Sequence, residues 1–198
     1  MPEPTTLRAL EGMPEVPAAL ADSTLIMIDL QNTYTRGVME LENVQPALDE
    51  AAELLDRARS AGAPVIHIVH DGGAGSPYDV HDDIGQIVDR VAPRPGEPVV
   101  VKNFPNAFTA TDLGERLAPG SNLVLAGFMT HMCVEATARA AVDLGYKPTV
   151  VASATATRDI PDPLGSGAVS AAEVQRNALA ALNDRFATVV KDVSALKS

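Results

Sequence analysis

Residues 121 to 146, SNLVLAGFMTHMCVEATARAAVDLGY, constrain the fold more than any other stretch, because a strand with no wet face runs directly into a helix. Leu123, Val124, Leu125 and Ala126 are apolar without interruption, as expected of a strand in a parallel sheet covered on both sides. Val134, Ala138 and Ala141 then recur at helical spacing, and Gly145 stands where that helix would stop. Cys133, the chain's one cysteine, falls at or within the helix's first turn. Backbone N–H groups there lack intrahelical partners and carry partial positive charge, so they favour a thiolate and an oxyanion forming beside it. A lone cysteine in an intracellular protein is more often a small buried hydrophobe, and the rest of the chain has to decide between the two.

The same alternation of strand and helix runs through the chain. Thr24 to Leu30 is a first buried strand with Asp29 at its C-terminal end, and Pro64 to His70 is a second. Between them a helical stripe extends from Val44 to Ala61 and stops at Gly62. Val99 to Lys102, Pro148 to Ser153 and Ala187 to Lys191 supply the third, fifth and sixth strands. Ser170 and Glu173 form a capping box that opens the last helix, with Val174, Ala178 and Leu182 as its stripe. Shorter helices are predicted around Asp83 to Arg90, and from Thr111 as a cap through Leu117. ATATRDIPDPLGSGAV is a long loop, of the kind that covers a site or meets a partner subunit. This pattern predicts an α/β fold, a doubly wound six-stranded parallel sheet with helices on both faces in three layers. Residues 1 to 22, rich in Pro and Glu, read as an extended N-terminal arm, and 23 to 198 as one domain.

Composition narrows the partners. One cysteine excludes an internal disulfide, the N-terminal segment lacks the basic-then-apolar order of a secretory signal, and no apolar run approaches the roughly 20 residues that span a bilayer. A soluble, cytoplasmic protein is the expectation. A net charge of −11 repels phosphate backbones and anionic lipid, leaving small molecules and other protein chains rather than nucleic acid or membrane. DGGAGSP at 71 to 77 follows a strand, but Pro77 and a missing third glycine spoil a dinucleotide fingerprint.

In a sheet of this kind ligands bind outside the carboxyl ends of the strands. Asp29, Lys102 and Cys133 all fall at such ends. Each has an ordinary reading alone, Asp29 as a loop cap and Lys102 as a solvated charge. Together they form a chemically complete set, since a thiol needs a base and a cation can hold that base ionised.

These residues, within IMIDLQNTY, VVVKNFPNAF and GFMTHMCVEATARAAVDLGY, resemble the Asp-Lys-Cys set of the isochorismatase-like cysteine hydrolases over Thr24 to Lys191. That family includes nicotinamidases, N-carbamoylsarcosine and ureidoacrylate amidohydrolases, streptothricin hydrolase and isochorismatases. The resemblance implies strand order 3-2-1-4-5-6 and assembly as a homo-oligomer, a dimer or tetramer. It also implies Cys133 as nucleophile, Asp29 as its base, Lys102 as the partner of the ionised pair, and a cis peptide at Phe128-Met129 that aims the Met129 N–H, with that of Cys133, at an oxyanion.

Nicotinamidases carry a metal site with an Asp-x-His pair after strand two, and here no such pair occurs. His67 and His70 lie three apart on a strand and point to opposite faces, so His67 reads as a core residue while His70 can reach a pocket. Asp79 and His81 read as a solvated loop. No catalytic metal and no cofactor are expected. His131, in the THMC turn, either touches substrate or bonds a loop; the turn looks closest to streptothricin-hydrolase-like members. Gln31, Tyr34 and Phe108, in loops leaving strand ends, are candidates for a pocket wall or for ordinary loop packing. The resulting expectation is a hydrolase of a small amide, lactam or ureido C–N bond acting through a Cys133 thioester. Isochorismatase-type hydrolysis of another small metabolite is the alternative, as is a binding or assembly protein that keeps the fold without catalysis.

Overall fold

In the computed structural model, which describes residues 3–198, the uninterrupted apolar runs become one sheet. Its strands are β1 (Ser23–Ile28), β2 (Val65–His70), β3 (Val99–Lys102), β4 (Asn122–Phe128), β5 (Lys147–Ala156) and β6 (Thr188–Val190). They pair in the order β3-β2-β1-β4-β5-β6, every pair parallel. Helix α1 (Val44–Ser60) lies on one face, and α2 (Glu135–Asp143) with α3 (Ala171–Ala181) on the other. Strand alternation explains why β1 is apolar from Leu25 onward: Leu25 and Met27 pack toward α1, while Ile26 and Ile28 pack toward α2. The capping box forms as predicted, with the Ser170 hydroxyl on the Glu173 N–H and the Glu173 carboxylate on the Ser170 N–H.

Four expectations are corrected. The helix predicted over Asp83 to Arg90 is two isolated 3₁₀ turns, Asp83–Gly85 and Asp89–Val91. The carbonyls a helix would need are taken from outside, since Gln31, Asn32 and Thr33 donate side-chain hydrogen bonds to those of Gly85, Asp83 and Ile84. The helix predicted from Thr111 is likewise only a 3₁₀ turn, Leu113–Arg116, although the Thr111 hydroxyl accepts from the Leu113 N–H as a cap would while donating to the Ala107 carbonyl. The long loop after β5 is shorter than predicted: β5 continues to Ala156, and Ile160–Pro161 pairs with Ala168–Val169 as a small antiparallel hairpin. The N-terminal arm contains one helical turn, Leu7–Leu10, and is docked: the Leu7 N–H bonds Asp184, and Arg8 reaches the Thr188 hydroxyl at the start of β6. Residues 1 and 2 of that arm lie outside the described residues.

The carboxyl ends of β1 and β4 come closer than side chains permit. Gly127 has φ +132°, and a Cβ there would lie 1.9 Å from the Ile28 carbonyl oxygen. Just beyond, Asp29 turns out of β1 with φ 50°, a left-handed conformation that sends its side chain inward across the strand ends. Gly127→Ala is expected to destabilise the protein by about 3 kcal/mol or more, read from the midpoint of denaturant unfolding, because both the added methyl and the backbone angle oppose it. A stability unchanged from wild type would show that the two strand ends can separate freely.

Candidate active site

Three strand ends converge on one buried ammonium. Lys102 closes β3, whose exposure alternates so that Val100 and Lys102 are buried while Val99 and Val101 are not. Its side chain passes the end of β2 to reach Asp29, with Nζ 2.7 Å from Oδ2 and neither side chain exposed at all. The same Nζ lies 3.3 Å from Cys133 Sγ and 3.3 Å from His70 Nδ1. An ammonium has three protons, and here it faces three acceptors. Neither Asp29 oxygen has a hydrogen bond of ordinary angle, so the contact with Lys102 is chiefly one of charge.

Cys133 does not sit in an α-helical turn. Thr130–Val134 forms a single π-turn, and α2 begins only at Glu135. Wide turns of this kind cluster at functional sites because they displace a side chain from the regular helical path. The peptide bond Phe128-Met129 is cis, as the resemblance implied, and Met129 is buried between β4 and the π-turn. The Cys133 thiol is 5% exposed.

Burial dominates the protonation of this cluster. It pushes the Cys133 thiol up to about 12, with the Asp29 charge adding and Lys102 opposing. It also raises Asp29, against the lowering effect of Lys102 and of contact with the thiol. Burial and the Asp29 charge thus oppose the thiolate that the helix N–H groups would favour, so removal of the thiol proton has to accompany attack.

The remaining predicted residues separate. His70 belongs to the cluster, edge-to-face on Tyr78 with ring centroids 5.1 Å apart; burial and then the Lys102 charge lower its basicity. Tyr34 is buried behind it, edge-to-face with both Tyr78 and Phe128. Gln31 lines no pocket: fully buried, its amide accepts from the His70 N–H and donates to the carbonyls of His70 and Gly85. Phe108 is not at the site either, because it stacks on Tyr146, beyond the C-terminal end of α2. His131 Nδ1 lies 2.6 Å from the Thr157 hydroxyl, and burial and then the Arg158 charge lower its basicity.

His67 is taken up by Glu97 at 3.1 Å, itself gripped through both oxygens by Arg59 and pulled down to about 2, first by Arg59. Asp79 accepts from the N–H groups of Gly75 and His81. Among the described residues no three His, Cys, Asp or Glu side chains converge as a metal site would require.

Sequence reasoning missed Tyr78 and Arg158. Arg158 follows β5 and borders a concavity of about 420 Å³ with Val38, Glu40, Glu42 and Asp159. Its Nε is buried without an acceptor. The signal available was position alone: like Asp29 and Lys102, Arg158 lies at the carboxyl end of a strand.

The site makes a stability prediction. Lys102→Met leaves the Asp29 carboxylate buried without a cation, which typically costs about 3–5 kcal/mol, and Asp29→Asn in the same chain should recover much of it. The sign follows from Asp29, whose raised folded value makes ionisation unfavourable in the native state. Stability of Lys102→Met should thus fall as pH rises above the ordinary carboxylate range, and the gap to wild type should close below it. Thermal unfolding across pH reads this directly.

Residues 23–192 match the isochorismatase domain family. The chain is 35% identical over 195 residues to a secreted isochorismatase effector of Verticillium dahliae, covering 96% of this chain and 100% of that one. It is 37% identical over 168 residues to a streptothricin hydrolase of Streptomyces noursei, covering 83% of this chain and 61% of the longer relative. The crystal structure of an isochorismatase from Pseudomonas putida KT2440 superposes with a TM-score of 0.92 at 38% identity, over 98% of this chain and 99% of the other. Fold and sequence thus agree that the chain belongs to the isochorismatase family of hydrolases.

Proposed function

We propose that the protein cleaves a C–N bond of a small amide, lactam or ureido compound through a thioester on Cys133. The observation that carries this reading is the placement of the one thiol 3.3 Å from an ammonium that is itself paired with a buried carboxylate at 2.7 Å. Sulfur attacks the carbonyl carbon as its proton passes to Asp29, so charge is not separated in a site that disfavours it. The backbone N–H groups of Met129 and Cys133 receive the oxyanion. The tetrahedral intermediate expels the nitrogen, which takes the proton from Asp29, and the acyl group stays on sulfur. Water then attacks the thioester, giving its proton to Asp29, and the carboxylic acid leaves as the thiol re-forms. Relatives named for amide chemistry support the reading, among them the streptothricin hydrolase and a ureidoacrylate amidohydrolase of Stutzerimonas stutzeri, 30% identical over 185 residues.

Arg158, whose charge reaches His131 and Tyr78, is the cation this reading assigns to a substrate carboxylate, in competition with Glu40, Glu42 and Asp159 beside it. Its guanidinium has only a local contact, to the Asp159 carbonyl, and an Nε–H cut off from water lacks an acceptor that a bound anion would provide. This reading assumes the small-molecule substrate, homo-oligomeric state and cytoplasmic setting expected from the sequence.

Cys133→Ala is expected to fold normally and to lose turnover. Intact-mass spectrometry of the wild type with a panel of amides, lactams and ureido compounds should show an acyl adduct on Cys133 that Cys133→Ala never forms. Full activity of Cys133→Ala on any substrate so identified would refute the mechanism. For Arg158, the two alkylating agents iodoacetate and iodoacetamide differ in charge and share a chemistry. Arg158→Gln should lower the ratio of their rates at Cys133 by about tenfold, the loss of one charge-assisted contact; an unchanged ratio rules out an anion site there.

A further inference from the structure

We propose that His70 is a positioning residue for Lys102, held in its Nε2–H form so that bare Nδ1 takes the third ammonium proton, and that protonation of His70 dismantles the site. The inference deepens the proposed reaction and rests on Lys102 supporting Cys133.

The geometry fixes the tautomer. With Lys102 entirely buried, each of its three N–H donors needs a neighbour to face; Asp29 offers its charge at 2.7 Å and Cys133 its sulfur at 3.3 Å. His70 Nδ1 stands 3.3 Å from Nζ as the third. A proton on Nδ1 would set two donors face to face, so that nitrogen has to stay bare and Nε2 carries the hydrogen. His67, three residues earlier on the same strand, makes the opposite pairing, with the carboxylate of Glu97.

The surroundings hold the ring in place from both sides. Gln31 clamps the His70 backbone, accepting from its N–H and donating to its carbonyl, each at 2.9 Å. Tyr78 meets the ring edge-to-face at 5.1 Å, and Tyr34 backs Tyr78 at 5.8 Å against Phe128 at 5.7 Å. A buried glutamine and a chain of aromatic rings that touch none of the reacting atoms thereby acquire a purpose, orienting one imidazole toward one ammonium.

The titratable and charged groups facing His70 are Lys102 from β3, Asp29 beyond β1, Asp71 beside it on the chain and the Tyr78 phenol. Burial and Lys102 lower its basicity, while Asp29 and Asp71 oppose them. Neutral His70 thus persists below the ordinary histidine range. Once protonated, it turns an acceptor into a second cation against Lys102, which loses its hold on the thiol and carboxylate.

Long-range ¹H–¹⁵N correlation of the imidazole rings in the wild-type protein tests this without a substrate, with His70→Asn identifying the signal. The expected result is a bare Nδ1 with hydrogen on Nε2 at neutral pH, titrating below about 6.5, and shifted upward in Lys102→Met. A hydrogen on Nδ1, or a titration unmoved by Lys102→Met, would overturn the proposal. Exchange of the Lys102 ammonium protons gives an independent reading. It should quicken by about tenfold or more in His70→Ala and stay near the wild-type rate in His70→Asn, whose amide oxygen can replace Nδ1. Equal exchange in the two variants would also overturn it, and if His70→Ala fails to fold, the wild-type tautomer still decides.

Discussion

A lysine ammonium and an aspartate carboxylate, both sealed from water, meet at 2.7 Å at the carboxyl edge of the sheet. Removing two such charges from water costs several kcal/mol each, and their attraction offsets that only when the remaining hydrogen-bonding capacity is filled. Much of the nearby architecture serves the ammonium's side of the pair, since the Asp29 oxygens have no hydrogen bond of ordinary angle. Gly127 lets β4 approach β1, the left-handed backbone of Asp29 turns its carboxylate inward, and Gln31 fixes the end of β2 so that His70 faces the ammonium. The thiol is the remaining neighbour, delivered by a π-turn and not by the first turn of a regular helix.

That arrangement changes how the sulfur is activated. A helix terminus alone would favour a standing thiolate, yet Cys133 is so buried, and so close to a negative carboxylate, that the thiol is the resting form. The two upward shifts, of Asp29 and of Cys133, leave one proton to be passed between them when substrate arrives. In this account Lys102 holds the Asp29–Cys133 couple anionic by one charge before substrate attack, and that charge passes to the oxyanion as the sulfur bonds to carbon.

The sheet was legible because its strands are buried on both faces, so β1 from Leu25 and β4 from Leu123 run apolar to their ends and β2 is broken only by His67 and His70. Asp29, Lys102 and Cys133 were legible for a related reason: a charged or reactive side chain directly after such a run has to lie at the carboxyl edge. What could not be read was set by contacts between distant segments. The helical potential of Asp83 to Arg90 is overruled by three side chains from residues 31 to 33, a bond pattern no local window contains. Phe108 misled because nearness to Lys102 in sequence is not nearness in space; the chain leaves β3 and travels along α2 to Tyr146. Tyr78 and Arg158 sit in loops whose course depends on the same long-range bonds.

The central claim is that Cys133 rests as a thiol whose proton belongs to a couple with Asp29. As the chain's one cysteine, it gives a single S–H stretching band, which Raman spectroscopy of the native protein can follow with pH. The account predicts that this band is present at neutral pH and persists well above the ordinary cysteine range, fading only on approach to about 12. A native protein with no S–H band at neutral pH would carry a standing thiolate, and would contradict it.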